Sequence, residues 1–441
     1  MNQLQLFLPC AAGVEGFLAD EVHQITGLTG NDLLVGRGGV LLKASWRDAL
    51  LLNLKSRLAQ RVLVQLAQGL YRNENDIYAL ASSIAWEIWF TPRQSFKVEV
   101  TAQHSPLTSL NFAALRTKDA VADRFRAKAG VRPDVDTQWP DVRVHLHLTT
   151  DEATVYIDTS GEPLFKRGWR NVRDGGAKGD APLKETLAAA MIAATGWDPH
   201  GEAPLPLYDP CCGSGTVLIE AAQMACRIAP GLQRRFAFEK LLPFQAHVWG
   251  AIKEEANSAI TACATGIFGS DISHRMVDFA EHNAQRAGVA GALQLRGGDA
   301  LQRMPPCEEP GIMLLNPPYG ERIAAAGSAG QNARERAQQR AQGAAVGREA
   351  AEVPGAEGAG GDGSEFFQQL ASHWKKNYTG WQAWMLTPDL KLPGKMRLKE
   401  SRRVPMWNGP IECRLFRFDL IRGSLRSRSV DALAPAPADG T

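Results

Sequence analysis

The sequence predicts an α/β protein whose C-terminal half is built on a mostly parallel sheet. From Leu205 onward, short apolar segments alternate with helical ones, a pattern typical of parallel strands joined by crossover helices. A glycine-rich turn follows the first apolar segment, and acidic residues follow the next two. The fourth runs into Asn-Pro-Pro-Tyr. Because ligands of open α/β sheets bind outside the carboxyl ends of the strands, these features predict a ligand site there.

The predicted strands of this half are short and apolar, and the last two flank Asn408-Gly409, a hairpin signal. They are residues 205–208, 265–270, 292–296, 311–315, 382–386, 403–407 and 411–420.

The N-terminal half predicts two smaller units of mixed helices and strands. In the first, strand and helix patterns alternate over residues 4–8, 14–25, 40–42 and 46–54. In the second, a strand at 95–101 precedes a helix at 112–129, with Leu115, Val121, Ala122 and Phe125 predicted to face inward. Strict alternation in 142–148 and a second run at 153–157 predict a hairpin.

Bulk properties narrow the class of protein. A chain of 441 residues, 44% hydrophobic and 22% charged, fits roughly two or three globular domains. The net charge of +2 neither requires nor excludes nucleic acid. Seven cysteines without a Cys-x-x-Cys pair indicate neither disulfides nor zinc, and no metal is expected. No apolar run approaches the roughly 20 residues of a membrane span, and the start lacks the basic region of a signal peptide. We therefore expect a soluble cytoplasmic protein.

Asn316-Pro317-Pro318-Tyr319 ends a buried apolar run in a stiff loop. Two prolines remove two backbone donors and fix two φ angles. The Asn316 side-chain oxygen and the Pro317 carbonyl could accept the two N–H groups of a planar amine, and Tyr319 could stack on its ring. The alternative is a rigid strand-to-loop exit with no chemical role.

The turn Asp209-Pro210-Cys211-Cys212-Gly213-Ser214-Gly215 links the first strand of the sheet to a helix. Its glycines permit close approach of a ligand to the backbone, and the helix N-terminus adds a favourable dipole. A dinucleotide site is a poor match, because Leu218 stands where that fingerprint needs a third glycine. Asp271 and Asp299 follow the next two strands, although each could simply cap a helix.

Basic residues lie where an RNA could bind. Lys118 and Arg124 are placed on the outward face of the 112–129 helix. A basic run with one tryptophan, residues 166–173, lies between the two halves and contains Lys166, Arg167, Arg170 and Arg173. Its alternative interpretation is a solvated linker.

Taken together, these motifs resemble class I S-adenosylmethionine-dependent methyltransferases that act on exocyclic amines. More closely, the chain resembles bacterial 23S rRNA guanine-N2 methyltransferases with an N-terminal THUMP domain. That resemblance also rests on residues 181–190, 219–222, 158–161 and 166–168. It implies a Rossmann-like, seven-stranded catalytic domain preceded by a ferredoxin-like and THUMP α+β region.

The resemblance also assigns roles. Asp209, Gly213 and Gly215, in one turn with Pro210 and Cys211, would hold the methionine part of S-adenosyl-L-methionine. Asp271 would accept from the ribose hydroxyls and Asp299 from the adenine amine. Thr186, with Lys184, would close the pocket, or these two would be only a capping or surface pair. Asn316, Pro317, Pro318 and Tyr319 would hold the substrate base.

The implied domains are a ferredoxin-like unit (1–58), a THUMP domain (59–160), a linker (161–180) and a methyltransferase domain (181–422). Residues 324–364 form a low-complexity insertion and residues 423–441 a disordered tail. The expected partner is 23S rRNA or a large-subunit assembly intermediate. Two rivals remain open: an adenine-N6 methyltransferase acting on RNA or DNA, and a non-catalytic RNA-binding assembly factor.

Overall fold

The computed structural model describes residues 3–170, 183–317 and 364–421, which form two seven-stranded sheets with helices packed on them. The first sheet has the order β2-β3-β1-β4-β7-β6-β5. Its strands are β1 (Leu4–Pro9), β2 (Leu33–Gly36), β3 (Gly39–Ala44), β4 (Leu63–Leu70), β5 (Phe96–Ala102), β6 (Val142–Leu148) and β7 (Glu152–Asp158). Its helices are α1 (Glu15–Thr26), α2 (Trp46–Lys55), α3 (Glu74–Ser83) and α4 (Leu110–Ala129).

Strand β4 joins the two predicted N-terminal units into one continuous sheet. It pairs with β1 on one side and with β7 on the other, antiparallel in both cases. The predicted hairpin is confirmed as β6 and β7. The sequence patterns missed two strands of this sheet, β4 and β2. Strand β2 has only four residues at the sheet edge and leaves Leu34 and Val35 exposed. Without a buried face, its apolar residues carry no alternation to detect.

Helix α4 forms where it was predicted, but one of its predicted inward positions is wrong. Leu115 is exposed, and Thr117 is buried instead. The buried Thr117 hydroxyl has a hydrogen-bond partner, because it donates to the Ala113 carbonyl at 3.0 Å. Spacing alone therefore favoured the more apolar residue over the one on the buried stripe.

The second sheet confirms the predicted α/β class. Its order is β10-β9-β8-β11-β12-β14-β13, with β14 antiparallel to both neighbours and the rest parallel. The strands are β8 (Leu207–Asp209), β9 (Ile267–Asp271), β10 (Gln294–Gly297), β11 (Ile312–Leu315), β12 (Gln382–Thr387), β13 (Arg402–Asn408) and β14 (Ile411–Asp419). The helices are α5 (Glu185–Thr195), α6 (Thr216–Ala225), α7 (Ala246–Ser258), α8 (His274–Arg286), α9 (Ser364–Asn377) and α10 (Leu392–Met396).

Strand order reverses between β8 and β11, because β9 and β10 continue on one side and β12 on the other. Such a switch point leaves a crevice at the carboxyl ends of the two central strands. The predicted ligand site lies at this position.

A buried ionic cluster joins the two halves of the protein. Glu220 of α6 has no solvent exposure, and its carboxylate lies between two arginines. Arg57, which follows α2, donates to it from Nη1 at 3.2 Å, and Arg167 donates from Nε at 3.1 Å. Arg167 also donates from Nη2 to the Arg57 carbonyl at 2.7 Å. The two halves are thus held by charges that would be costly to separate.

We expect Arg57→Ala to lower the free energy of unfolding by about 3–5 kcal/mol, because it removes one partner of a buried carboxylate. Urea denaturation would measure the change. Arg47→Ala is the matched control, since Arg47 pairs with Glu255 at the surface, where both side chains are more than half exposed. That variant should change stability by less than about 1 kcal/mol. Equal losses in the two variants would contradict the role given to the buried cluster.

Candidate active site

The glycine turn between β8 and α6 is shaped for close approach to a ligand. Gly213 and Gly215 both have positive φ, +52° and +83°. A Cβ on Gly215 would lie 3.0 Å from the Ala280 Cβ, so a larger residue there would be both strained and crowded. The Asp209 Oδ1 accepts from the Cys211 amide at 3.0 Å, which folds the start of the turn back on the strand end.

The three predicted acids lie at or just beyond the carboxyl ends of neighbouring parallel strands. In the parallel register, Asp209 pairs with Gly269, and Asp271 pairs with Gly297. Asp271 is tied to the glycine turn, because its Oδ2 accepts from the Gly213 amide at 3.0 Å. Its Oδ1 accepts from the Ser273 amide at 2.9 Å, and each oxygen keeps a further lone pair for a ligand.

Asp299 lies two residues beyond the end of β10. Its Oδ1 accepts from the Leu301 amide at 2.9 Å, so it stabilises a turn rather than a helix N-terminus. Burial raises the pKa of the Cys211 thiol, and the nearby carboxylates of Asp209, Asp271 and Asp299 raise it further. Cys211 is therefore a common neighbour of the three acids. The sheet therefore brings together all three acids that the sequence placed at strand ends.

The electrostatics of this edge favour a cationic ligand. Asp209 is 2% exposed, and its burial, reinforced by Asp271, raises its pKa to about 8. Burial also raises the pKa of Asp271. Neither carboxylate forms a salt bridge with any residue in the described ranges. A ligand that brings positive charge would supply the missing counter-charge.

Asn316 and Pro317 follow β11, the strand that pairs with β8. In the register of β11 with β8, Met313 pairs with Tyr208, so Asn316 lies two residues past the level of Asp209. Asn316 is partly buried and Pro317 is buried. Pro318 and Tyr319 lie outside the described residues, and so does most of the predicted insertion. The predicted stacking role of Tyr319 therefore remains a prediction.

Thr186 is buried in the first turn of α5, which packs against α6 and β11. That position is compatible with a wall of the predicted pocket. Lys184 points elsewhere: its Nζ lies 5.4 Å from the centre of the Phe165 ring.

The predicted RNA contacts on α4 and before the domain junction are partly engaged within the protein. Lys118 pairs with Asp119 at 3.0 Å, Arg124 binds Glu87 through two hydrogen bonds, and Lys166 pairs with Glu162. Lys166 remains more than half exposed. Arg173 lies outside the described residues.

The prediction that Arg167 and Arg170 contact RNA is wrong, because both side chains are largely buried. The Arg167 side chain is 2% exposed and is bound to Glu220. Arg170 is mostly buried, with Nε 3.1 Å from the Glu185 Oε1 and Nη2 donating to the Thr216 hydroxyl. A run of basic residues has the same sequence pattern whether its side chains face solvent or pair with buried acids. The missed signal was Glu220, a lone carboxylate in the otherwise apolar start of α6, which needs a partner once buried.

The surface of the N-terminal half carries a cavity of mixed charge and an exposed tryptophan. A cavity of about 760 Å³ beside α4 is lined by Arg116, Lys118, Arg126 and Arg132 together with acidic residues. After α4, Trp139 is 79% exposed. Exposed arginines and a free indole face suit contacts with phosphates and bases.

Three family models match successive parts of the chain. Residues 5–63 match the RlmL ferredoxin-like domain, residues 71–158 the THUMP domain, and residues 167–346 the RMKL-like methyltransferase domain.

Curated relatives cover nearly the whole chain. A protein of Psychromonas ingrahamii named ribosomal RNA large subunit methyltransferase K/L is 34% identical over 93% of this chain and 49% of its own length. One of the same name from Shewanella frigidimarina is 33% identical over 97% of this chain and 56% of its own. The chain thus spans about half the length of these relatives.

Solved structures share the fold. A putative methyltransferase complexed with SAH superposes with a TM-score of 0.77 at 25% identity, over 96% of this chain and 100% of that one. A predicted N6-adenine-specific DNA methylase from Listeria monocytogenes gives a TM-score of 0.75 at 25% identity, over 94% and 96%.

Fold, site and comparisons define the class: this is an α/β protein with a methyltransferase domain. More particularly, the chain joins a THUMP domain to an RlmL-like methyltransferase domain, as the resemblance of its motifs predicted. S-adenosyl-L-methionine is the indicated cofactor, and the buried carboxyl groups of Asp209 and Asp271 fit its positive charge. In the described part of the chain, no helix could span a membrane and no group of three ligating side chains could hold a metal.

We expect the affinity for S-adenosylmethionine to rise with pH up to about 8 and then to level off. Below that pH the Asp209 carboxyl is largely protonated, and binding a cation must release its proton. Calorimetry at pH 6 to 9, in two buffers that differ in ionisation enthalpy, would measure both the affinity and the proton released. Asp209→Asn should flatten the pH profile. Persistence of the full proton release in that variant would contradict this assignment.

Proposed function

We propose that the protein methylates the exocyclic N2 amine of a guanosine in 23S rRNA, with S-adenosylmethionine as the methyl donor. The observation that carries the proposal is the position of Asn316 and Pro317. They follow β11 at the switch point, on the strand next to the one that ends in Asp209. A loop suited to gripping an amine thus adjoins a turn suited to holding a cationic methyl donor.

Asn316 and Pro317 would act by aligning the amine. Its lone pair is delocalised into the guanine ring, which makes it a poor nucleophile. When the Asn316 side-chain oxygen and the Pro317 carbonyl accept its two N–H groups, the pyramidal geometry that frees the lone pair is favoured. These bonds strengthen as the nitrogen gains positive charge, so they stabilise the transition state more than the ground state.

The cofactor would supply an electrophilic methyl group. Asp209, Gly213 and Gly215 would hold its methionine part, Asp271 its ribose and Asp299 its adenine amine, with Pro210, Cys211 and Thr186 lining the site. The new N–C bond would form as the sulfur–methyl bond of the cofactor breaks, with S-adenosylhomocysteine as the leaving group. The amine would then lose one proton, either through Asn316 or directly to water.

Three observations support a ribosomal RNA substrate. Curated relatives are named for methylation of large-subunit ribosomal RNA, a THUMP domain precedes the methyltransferase domain, and that half exposes Arg126, Arg132 and Trp139. The base must leave its stack to reach the strand edge, and Tyr319 would then stack on it. A ribosomal RNA or assembly-intermediate substrate would place the protein in the cytoplasm.

A second candidate is methylation of an adenine N6 amine. The Listeria monocytogenes structure of similar fold carries that description, and the Asn-Pro-Pro-Tyr loop suits either base. The two bases differ at the edge beside the amine, so the product decides between them.

Asn316→Ala should reduce methyl transfer by about a hundredfold or more, because the variant loses a contact made mainly in the transition state. Transfer of labelled methyl groups to rRNA would measure it. Cofactor affinity should stay within a fewfold of wild type, since Asn316 is assigned to the base. Undiminished transfer would refute the assigned role.

Asp271→Ala should weaken cofactor binding, in contrast to Asn316→Ala, which should mainly slow methyl transfer. It removes the acceptor of the Gly213 amide as well as the predicted ribose contact, so we expect the dissociation constant of S-adenosylmethionine to rise at least about tenfold. Calorimetry would report this directly. An unchanged affinity would remove Asp271 from the cofactor site.

The base is identified by its product. We expect rRNA incubated with the protein and cofactor to yield N2-methylguanosine on nuclease digestion and mass spectrometry. Finding N6-methyladenosine would establish the second candidate. Absence of any methylated nucleoside, on naked RNA and on large-subunit precursors alike, would favour an RNA-binding assembly factor.

A further inference from the structure

Residues 164–170, which we call the strap, connect the N-terminal half to the methyltransferase domain along one face of α6. Two arginines of the strap reach that helix. Arg167 binds Glu220, and Arg170 donates to the Thr216 hydroxyl. Thr216 and Glu220 are four residues apart and so lie on the same helix face. Thr216 is the first residue after the glycine turn, so the contact between Arg170 and Thr216 lies next to the turn.

The strap also reaches the turn from a second side. The Trp169 carbonyl accepts from the Arg286 Nε at 2.8 Å, and the Arg286 Nη2 donates to the Asn283 Oδ1 at 2.7 Å. The Asn283 Nδ2 in turn donates to the Ser214 carbonyl at 3.0 Å. Ser214 stands between the two glycines of the turn, so a chain of three hydrogen bonds links it to the strap.

The path of the strap leaves little freedom. Trp169 is 1% exposed, and Gly168 has a φ of +103°. A Cβ on Gly168 would lie 3.1 Å from the Gln233 carbonyl oxygen. Arg170 is further fixed by its ion pair with Glu185 at the start of α5. The donors that reach the turn are therefore held by a rigid support.

We propose that the strap positions the glycine turn for its cofactor, with Arg170 as the principal positioning residue. The glycines make the turn adaptable, and the contacts at Ser214 and Thr216 select one of its conformations. Cofactor affinity would then depend on the same segment that carries the RNA-binding half. This inference rests on the proposed function, which assigns the turn to S-adenosylmethionine.

A double-mutant cycle tests the proposal in the full-length protein. Arg170→Ala and Thr216→Val each break the hydrogen bond between Arg170 and Thr216. Only Thr216→Val leaves the Arg170–Glu185 ion pair in place. We expect each to raise the dissociation constant of S-adenosylhomocysteine and the KM for S-adenosylmethionine by about tenfold. The double variant should be little worse than either single one. The kcat at saturating cofactor should stay within about twofold of wild type, and Arg170→Lys should restore part of the affinity.

Arg286→Ala probes the second route and should weaken S-adenosylhomocysteine binding severalfold. Arg403→Ala is the matched control, because Arg403 lies on β13, at the far edge of the sheet, and forms a surface pair with Glu400. It should leave the dissociation constant unchanged. If Arg170→Ala does not fold, Thr216→Val and Arg286→Ala give the same readout.

The outcomes separate this inference from the function on which it rests. Wild-type affinity in Thr216→Val and Arg286→Ala would overturn the positioning role alone. A loss in kcat with unchanged cofactor affinity would overturn it as well. Failure of the wild-type protein to bind S-adenosylhomocysteine would overturn the proposed function, and with it the inference.

Discussion

The organisation of this protein depends on one buried carboxylate. Glu220 has no access to water, and its charge is balanced by Arg57 from the N-terminal half and Arg167 from the segment between the halves. A buried charge tolerates only a narrow range of geometries, since each partner lost leaves the others uncompensated. The cluster therefore fixes how α6 lies against the N-terminal half. Because α6 begins at the glycine turn, the same interaction fixes the frame in which the candidate active site is built.

The site itself is organised around carboxyl groups that form no salt bridge with any residue in the described ranges. Asp209 and Asp271 lie at neighbouring strand ends without a described cation beside them, and burial raises the pKa of both. Glu220 differs from these two acids, because Arg57 and Arg167 balance its charge. Perturbed acids in a crevice at a switch point are typical of functional sites. A cationic methyl donor fits that environment.

Several predictions from sequence succeeded because they needed only local rules. Asp209, Asp271 and Asp299 were placed at strand ends by apolar runs, and parallel pairing then brings them to one edge whatever the helices do. The interpretation of Arg167 and Arg170 failed for the converse reason. Their partners, Glu220 and Glu185, lie 53 and 15 residues further along the chain. No local pattern reveals whether a basic side chain faces water or a buried carboxylate. Leu115 was predicted to face inward but is exposed, because the buried side of α4 passes through Thr117 instead.

By itself, the sequence determined the α/β class, the strands of the second sheet, the glycine turn and the end of β11 before Asn316 and Pro317. Each follows from periodicity or from the stereochemistry of glycine and proline, which act within a few residues. Only the tertiary structure decided that the N-terminal units share one sheet through β4, and that the strap supports the glycine turn through Arg170 and Trp169. Those relations depend on which distant side chains meet when water is excluded, and on the resulting need to pair every buried charge and donor.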